Sequence, residues 1–144
     1  MKMLPLLAVS AGSWLAAATL AGNASAQPGS FSLADYSGAE IFQRFCSACH
    51  GESAHGDGPV AKTLSVIVPD LTQLYRRYGN RFPAAEVQET IDGRNLVIAH
   101  GVRTMPVWGY EFWWEEGADI EAEAAARETI DKLVEYIRSI QDEE

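Results

Sequence analysis

Cysteine is almost missing from this chain of 144 residues: there are two, Cys46 and Cys49, and both lie in the stretch CSACH. Histidine is nearly as scarce, with three, so there is no second ligand pair at the spacing a zinc finger requires. No alternating apolar and polar run is long enough for a sheet, and the βαβ setting of a thioredoxin-like dithiol is therefore lacking. Basic residues are few, 11 Lys and Arg against 20 Asp and Glu, for a formal charge of −9. Such a chain repels nucleic acid and anionic lipid and favours a protein partner with a basic docking surface. Internal repeats and low-complexity tracts are absent as well.

The first residues set the compartment. Lys2 is the only charge before Asp35, residues 3–20 form an apolar run, and Ala24, Ser25 and Ala26 supply small residues at its end. This is the pattern of a secretory signal peptide over residues 1–26, with processing before Gln27. An uncleaved anchor is the alternative, but Gly12, Ser13, Thr19, Gly22 and Asn23 weaken the run. The expectation is a periplasmic protein whose mature form has no membrane span. Cleavage leaves residues 27–144, one domain of ordinary size with a formal charge of −10. Residues 27–36 are expected as a flexible lead-in and 37–144 as the domain.

Periodicity predicts an all-α fold. Ser37 caps a helix that runs through Ala39, Ile41, Phe42 and Phe45 to CSACH, with apolar residues three and four apart. The glycine-rich stretch 51–59 is a loop. A second helix is predicted from Asp70 to Gly79. A third, AAEVQETID, follows Pro83 and stops at Gly93 in the manner of a left-handed cap. Residues 94–117 have no helical period. From about Asp119 a final helix buries Ile130, Leu133, Val134, Ile137 and Ile140.

CSACH has four candidate chemistries. A redox dithiol lacks its fold, zinc lacks its other ligands, and a local disulfide leaves the adjacent His without a role. Haem attachment uses all three residues: Cys46 and Cys49, one helical turn apart, form thioethers to two vinyl groups, and His50 follows as an iron ligand. Met1 and Met3 leave with the signal peptide, which makes Met105 the only methionine of the mature chain. It precedes Pro106 in a stretch flanked by Gly101 and Gly109, where a packing side chain has little reason to stand. Met105 is therefore the candidate distal ligand, a soft thioether that favours ferrous iron and closes the sixth position to oxygen or peroxide. His100, five residues away, is the competitor and is read as a structural, hydrogen-bonded His. His55, in the glycine-rich loop, is read as solvated.

From Ser37 to Gln141 the chain resembles a class I cytochrome c, of the small monohaem bacterial periplasmic branch. Gly38, Phe42 and Cys46, at spacings of four, match the family's early helix. Pro69 in PDLT matches the proline whose carbonyl holds the proximal His ring, with Leu71 as a haem contact. Residues 82–109, FPAAEVQETIDGR through AHGVRTMPVWG, resemble the small periplasmic branch. Leu133, Tyr136 and Ile137 match the last helix, which crosses the first near Gly38. The resemblance implies three to five helices around one covalently bound haem c. Arg94, Arg103 and Trp108 are candidates to hydrogen-bond its propionates. Residues 110–127 are longer and more acidic than a minimal member needs. Of the aromatic cluster Trp108, Tyr110, Phe112, Trp113 and Trp114, core packing is expected ahead of a partner patch.

The resulting expectation is a monomeric periplasmic electron carrier rather than an enzyme, shuttling single electrons between redox proteins through one haem with His/Met ligation. A haem c subunit serving as the electron outlet of a dehydrogenase or oxidase complex is the alternative. A gas sensor is disfavoured by Met105.

Overall fold

Ser37 opens the first helix because its hydroxyl accepts from the Glu40 N–H at 3.3 Å while the Glu40 carboxylate accepts from the Ser37 N–H at 2.8 Å. This reciprocal pair satisfies two backbone donors left over by the first turn. The computed structural model describes residues 32–94 and 104–142, and it contains helices and loops with no strand among them. The expected signal peptide, residues 27–31 of the lead-in, His100 and Arg103 lie outside the described residues.

Helix α1 is Gly38–Phe45, and Cys46 separates it from the single turn α2, Ser47–His50. A 3-10 turn at Leu71–Gln73 runs into another single turn, α3, Leu74–Arg77. Helix α4 is Ala84–Asp92, α5 is Trp108–Glu115 and α6 is Ile120–Ser139. Among the described residues, four helices of eight residues or more fall within the three to five expected, and α2 and α3 add two short ones. The second predicted helix begins at Asp70, whose carboxylate accepts from the Thr72 N–H at 2.9 Å, but it is a short 3-10 turn followed by the single α turn α3 rather than one continuous helix. Gly93 ends α4 at φ 69°, in the left-handed region where a side chain is strained.

Two expectations are corrected. Residues 94–117 include helix α5, whose sequence WGYEFWWE is apolar on both sides and so hides its period. Ser32 to Tyr36 are built into the fold rather than leading into it. Leu33 is wholly buried, and Glu116 at the end of α5 accepts from the Leu33 N–H at 2.6 Å.

Helix α6 is the spine. It packs against α1, α4, α5 and the turn at Leu33–Asp35. Ile130, Leu133, Val134 and Ile137 are buried, whereas Ile140 is only partly so. Gly38 lies directly on the Lys132 carbonyl of α6, leaving no room for a Cβ. One turn further on, the rings of Phe42 and Tyr136 meet at 5.2 Å. The α1–α6 crossing near Gly38 thus has a wholly buried aromatic as its anchor, worth about 1.5–3 kcal/mol of transfer free energy.

Candidate functional site

Cys46 is at once the last cap of α1 and the first cap of α2. Its N–H donates to the Phe42 carbonyl at 2.8 Å, and its own carbonyl accepts from Cys49 and His50 at 3.1 and 2.9 Å. The turn this closes brings Cys49 and His50 into place after Cys46, with the two cysteines as unpaired thiols. Burial, with the neighbouring Cys49, pushes the Cys46 thiol up to about 12. A redox-active dithiol needs a depressed value and a ready thiolate, so this site has the wrong electrostatics for one. Zinc is equally unsupported, since no three His, Cys, Asp or Glu side chains gather into a metal-binding group among the described residues.

The glycine-rich loop folds back on this turn. The N–H groups of Val60, Gly58 and Gly56 donate to the carbonyls of Ala48, Cys49 and His50 at 2.9, 3.2 and 2.7 Å. Those are the acceptors that a helix leaves unsatisfied at its C-terminal end. Gly58 must be glycine for this, because a Cβ would lie 2.5 Å from the Ala48 carbonyl oxygen and 2.6 Å from that of Ser47. His55, in the same loop, lies 3.5 Å from the Asp70 carboxylate and is half exposed.

His50 Nδ1 lies 3.4 Å from the Pro69 carbonyl oxygen. A carbonyl only accepts, so the proton belongs on Nδ1 and the lone pair on Nε2. Burial lowers the His50 pKa and the Pro69 contact partly offsets this, which leaves a neutral imidazole at neutral pH. Pro69 is itself held by its surroundings. The Leu71 N–H donates to the Ala54 carbonyl at 2.8 Å, and Gln141, just past α6, donates to the Leu71 carbonyl at 2.7 Å.

Cys46, Leu71, Met105 and Trp108 all pack, partly buried, against the same core cluster. Aromatic contacts connect the two motifs: Phe45, beside Cys46, meets Trp108 at 5.8 Å and Phe112 at 5.5 Å, and those two rings stack at 5.5 Å. The aromatic segment divides between two roles. Phe112 is wholly buried, Trp113 donates Nε1–H to the Asp119 carbonyl at 2.9 Å, and Tyr110 and Trp114 are 57% and 72% exposed. Arg94 is not brought to this group. Its donors go to Asp92 and Glu123, residues that no local sequence pattern singles out.

The residues fit a haem. Two thiols and an imidazole on one turn can supply attachment and ligation, and His50 is held neutral with Nδ1 towards Pro69, which leaves the Nε2 lone pair for a metal. Val66 and Ile67, a few residues before Pro69 in the chain, are 42% and 96% exposed, apolar surface of the kind that a large apolar group covers. An all-helical fold with this donor set defines the class of c-type cytochrome domains. The family model for "Cytochrome C oxidase, cbb3-type, subunit III" matches residues 34–137, and the chain belongs to that family. Comparison with curated proteins and with solved structures gives no match. Membership in the family carries a c-type haem and haem-based electron transfer.

Proposed function

We propose that this chain is a periplasmic electron carrier with one covalently attached haem c, exported by a signal peptide over residues 1–26 and working without substrate turnover. The observation that carries the reading is the CSACH turn, with His50 Nδ1 facing the Pro69 carbonyl at 3.4 Å. When bound, haem supplies one-electron exchange between ferric and ferrous iron. The chain does the rest. Cys46 and Cys49 provide the sulfurs for two thioethers. His50 presents Nε2, its ring angle set by Pro69 from behind. Met105 would supply the second protein ligand to the iron and keep small molecules from it, while Leu71 and Trp108 would pack against the haem.

Electron exchange requires brief docking rather than a pocket for substrate. The outer stripe of α5, where Tyr110 and Trp114 stand exposed beside Glu111 and Glu115, supports a partner with an apolar centre and a basic rim. A second reading has its own support. The matched family is described as an oxidase subunit, which favours a haem c subunit delivering electrons within a complex. Among the described residues no helix is long and apolar enough to cross a membrane. Purification of the native protein distinguishes the two readings: a carrier runs alone, and a subunit copurifies with its oxidase chain.

The axial assignment is tested by Met105→Ala. The oxidised protein should show the weak near-red charge-transfer band of sulfur bound to ferric haem. The variant should lose that band, keep its covalent haem, bind carbon monoxide or cyanide readily and have a lower reduction potential. Survival of the band in the variant refutes Met105 as ligand.

A further inference from the structure

Arg94 follows the end of α4, and its guanidinium is gripped from two sides. Nε and Nη2 donate to Asp92 Oδ1 and Oδ2 at 2.6 and 2.9 Å. Nη1 and Nη2 donate to Glu123 Oε2 and Oε1, on α6, at 2.6 and 3.2 Å. Two bidentate pairs use four of the fork's five N–H donors, and the Arg94 side chain is only 16% exposed, so water screens them less than an open surface pair. Arg127, one turn along α6, adds a bond from Nε to Glu123 Oε1 at 3.0 Å.

A third element rests on this ion pair. Gly109, the second residue of α5, sits so close to Asp92 Oδ1 and Arg94 Nε that a Cβ there would overlap both. The chain leaves the clamp at Arg94 and returns onto it at Gly109, with Met105 four positions before the return. Little slack lies between Met105 and Gly109. Pro106 has a ring-fixed φ, and the Val107 carbonyl is held by the N–H groups of Tyr110 and Glu111 at 3.0 and 3.2 Å.

We infer that the Asp92–Arg94–Glu123 clamp positions Met105, and so governs how readily an outside ligand displaces its sulfur from the iron. The inference rests on the reading of Met105 as a ligand. Met105 stands four residues before Gly109, and Gly109 rests on the clamp, which limits the positions open to the Met105 side chain. Releasing the clamp gives freedom to the displaced state and none to the ligated one, so displacement becomes easier. Arg94 is then a positioning residue that touches neither iron nor sulfur.

Imidazole, titrated into the ferric holoprotein, is the probe. Arg94→Gln removes the ion pairs, and Gly109→Ala pushes the start of α5 off them with every charge retained. Both should bind imidazole about tenfold more tightly than the unaltered protein, a difference of about 1.4 kcal/mol and comparable to a charge-assisted hydrogen bond. Ile137→Val, a core trimming on α6 that lowers the unfolding midpoint without touching the clamp, should leave imidazole affinity within about twofold. Arg94→Lys, which keeps the charge but loses the fork, should fall between. If Arg94→Gln and Gly109→Ala bind imidazole no better than Ile137→Val, the clamp is overturned. An unaltered ferric protein without the near-red band removes Met105 as ligand and the clamp's role with it. With the band present, unchanged imidazole affinity in the two variants removes the clamp alone.

Discussion

A methyl group on residue 38 would have to enter the space of the Lys132 carbonyl, and backbone does not yield as a flexible side chain does. Gly38→Ala should therefore separate α1 from α6 and cost about 1–3 kcal/mol of stability, read as a shift in the urea midpoint of the holoprotein. Gly79→Ala is the contrast. Its φ is 70° but nothing lies near its Cβ, so it should cost about 1 kcal/mol from backbone strain alone. Single residues also show what the sequence reveals. Ser37 and Gly93 act on neighbours within four residues, and the CSACH turn holds its chemistry within five consecutive residues, so these can be read along the chain. Arg94 could not be read this way, because its partner Glu123 is 29 residues distant and only folding brings them together. The α6 carboxylate that engages Arg94 lies too far along the chain for any local pattern to announce it.

Helix α6 was legible as an element because its buried residues recur at three and four, and because Asp119 stands where a cap belongs. The Asp119 carboxylate accepts from the Ala122 N–H at 2.8 Å, and Asp119→Ala should cost about 1 kcal/mol, checked by thermal unfolding. Helix α5 escaped notice for the opposite reason. Trp108 and Phe112 face the core, yet Tyr110 and Trp114 on the other side are as apolar, so hydrophobicity does not distinguish inside from outside. The junction of α4 with α6 carries a pH dependence. Hydrogen bonds from Arg94 hold the Asp92 carboxyl below its ordinary value of 3.8. A depressed acid stabilises the fold above its unfolded value and loses that effect as pH falls through the folded one. The stability gap between the unaltered protein and Asp92→Asn should accordingly be constant from pH 7 to about 5 and close towards pH 3, measured by urea unfolding at each pH.

At the scale of the molecule, charge and cofactor govern behaviour. With a formal charge of −9, the chain should approach a basic partner under electrostatic steering. Its electron-transfer rate to that partner should fall as salt shortens the Debye length from about 10 Å at 0.1 M to about 3 Å at 1 M. A rate indifferent to salt would leave the acidic stretch 115–123 as no more than a solvated surface. Covalent attachment predicts that acid and organic solvent fail to extract the haem, and that replacing Cys46 and Cys49 together with Ala abolishes its incorporation. The helix crossing at Gly38 also bears on the order of events in time. The helix leading into the thiols and the helix that closes over it lie at opposite ends of the domain, so the nascent chain presents Cys46 and Cys49 long before it can bury their surroundings. Roughly ninety residues follow Cys49 before the final stitches of Gln141 and Asp142 onto Leu71, Thr72 and Tyr75 can form, which takes about 5–20 s at ordinary rates of synthesis. Topology thus keeps a window open in which the CSACH turn is exposed, and the fold shuts it only when the residues that follow α6 arrive.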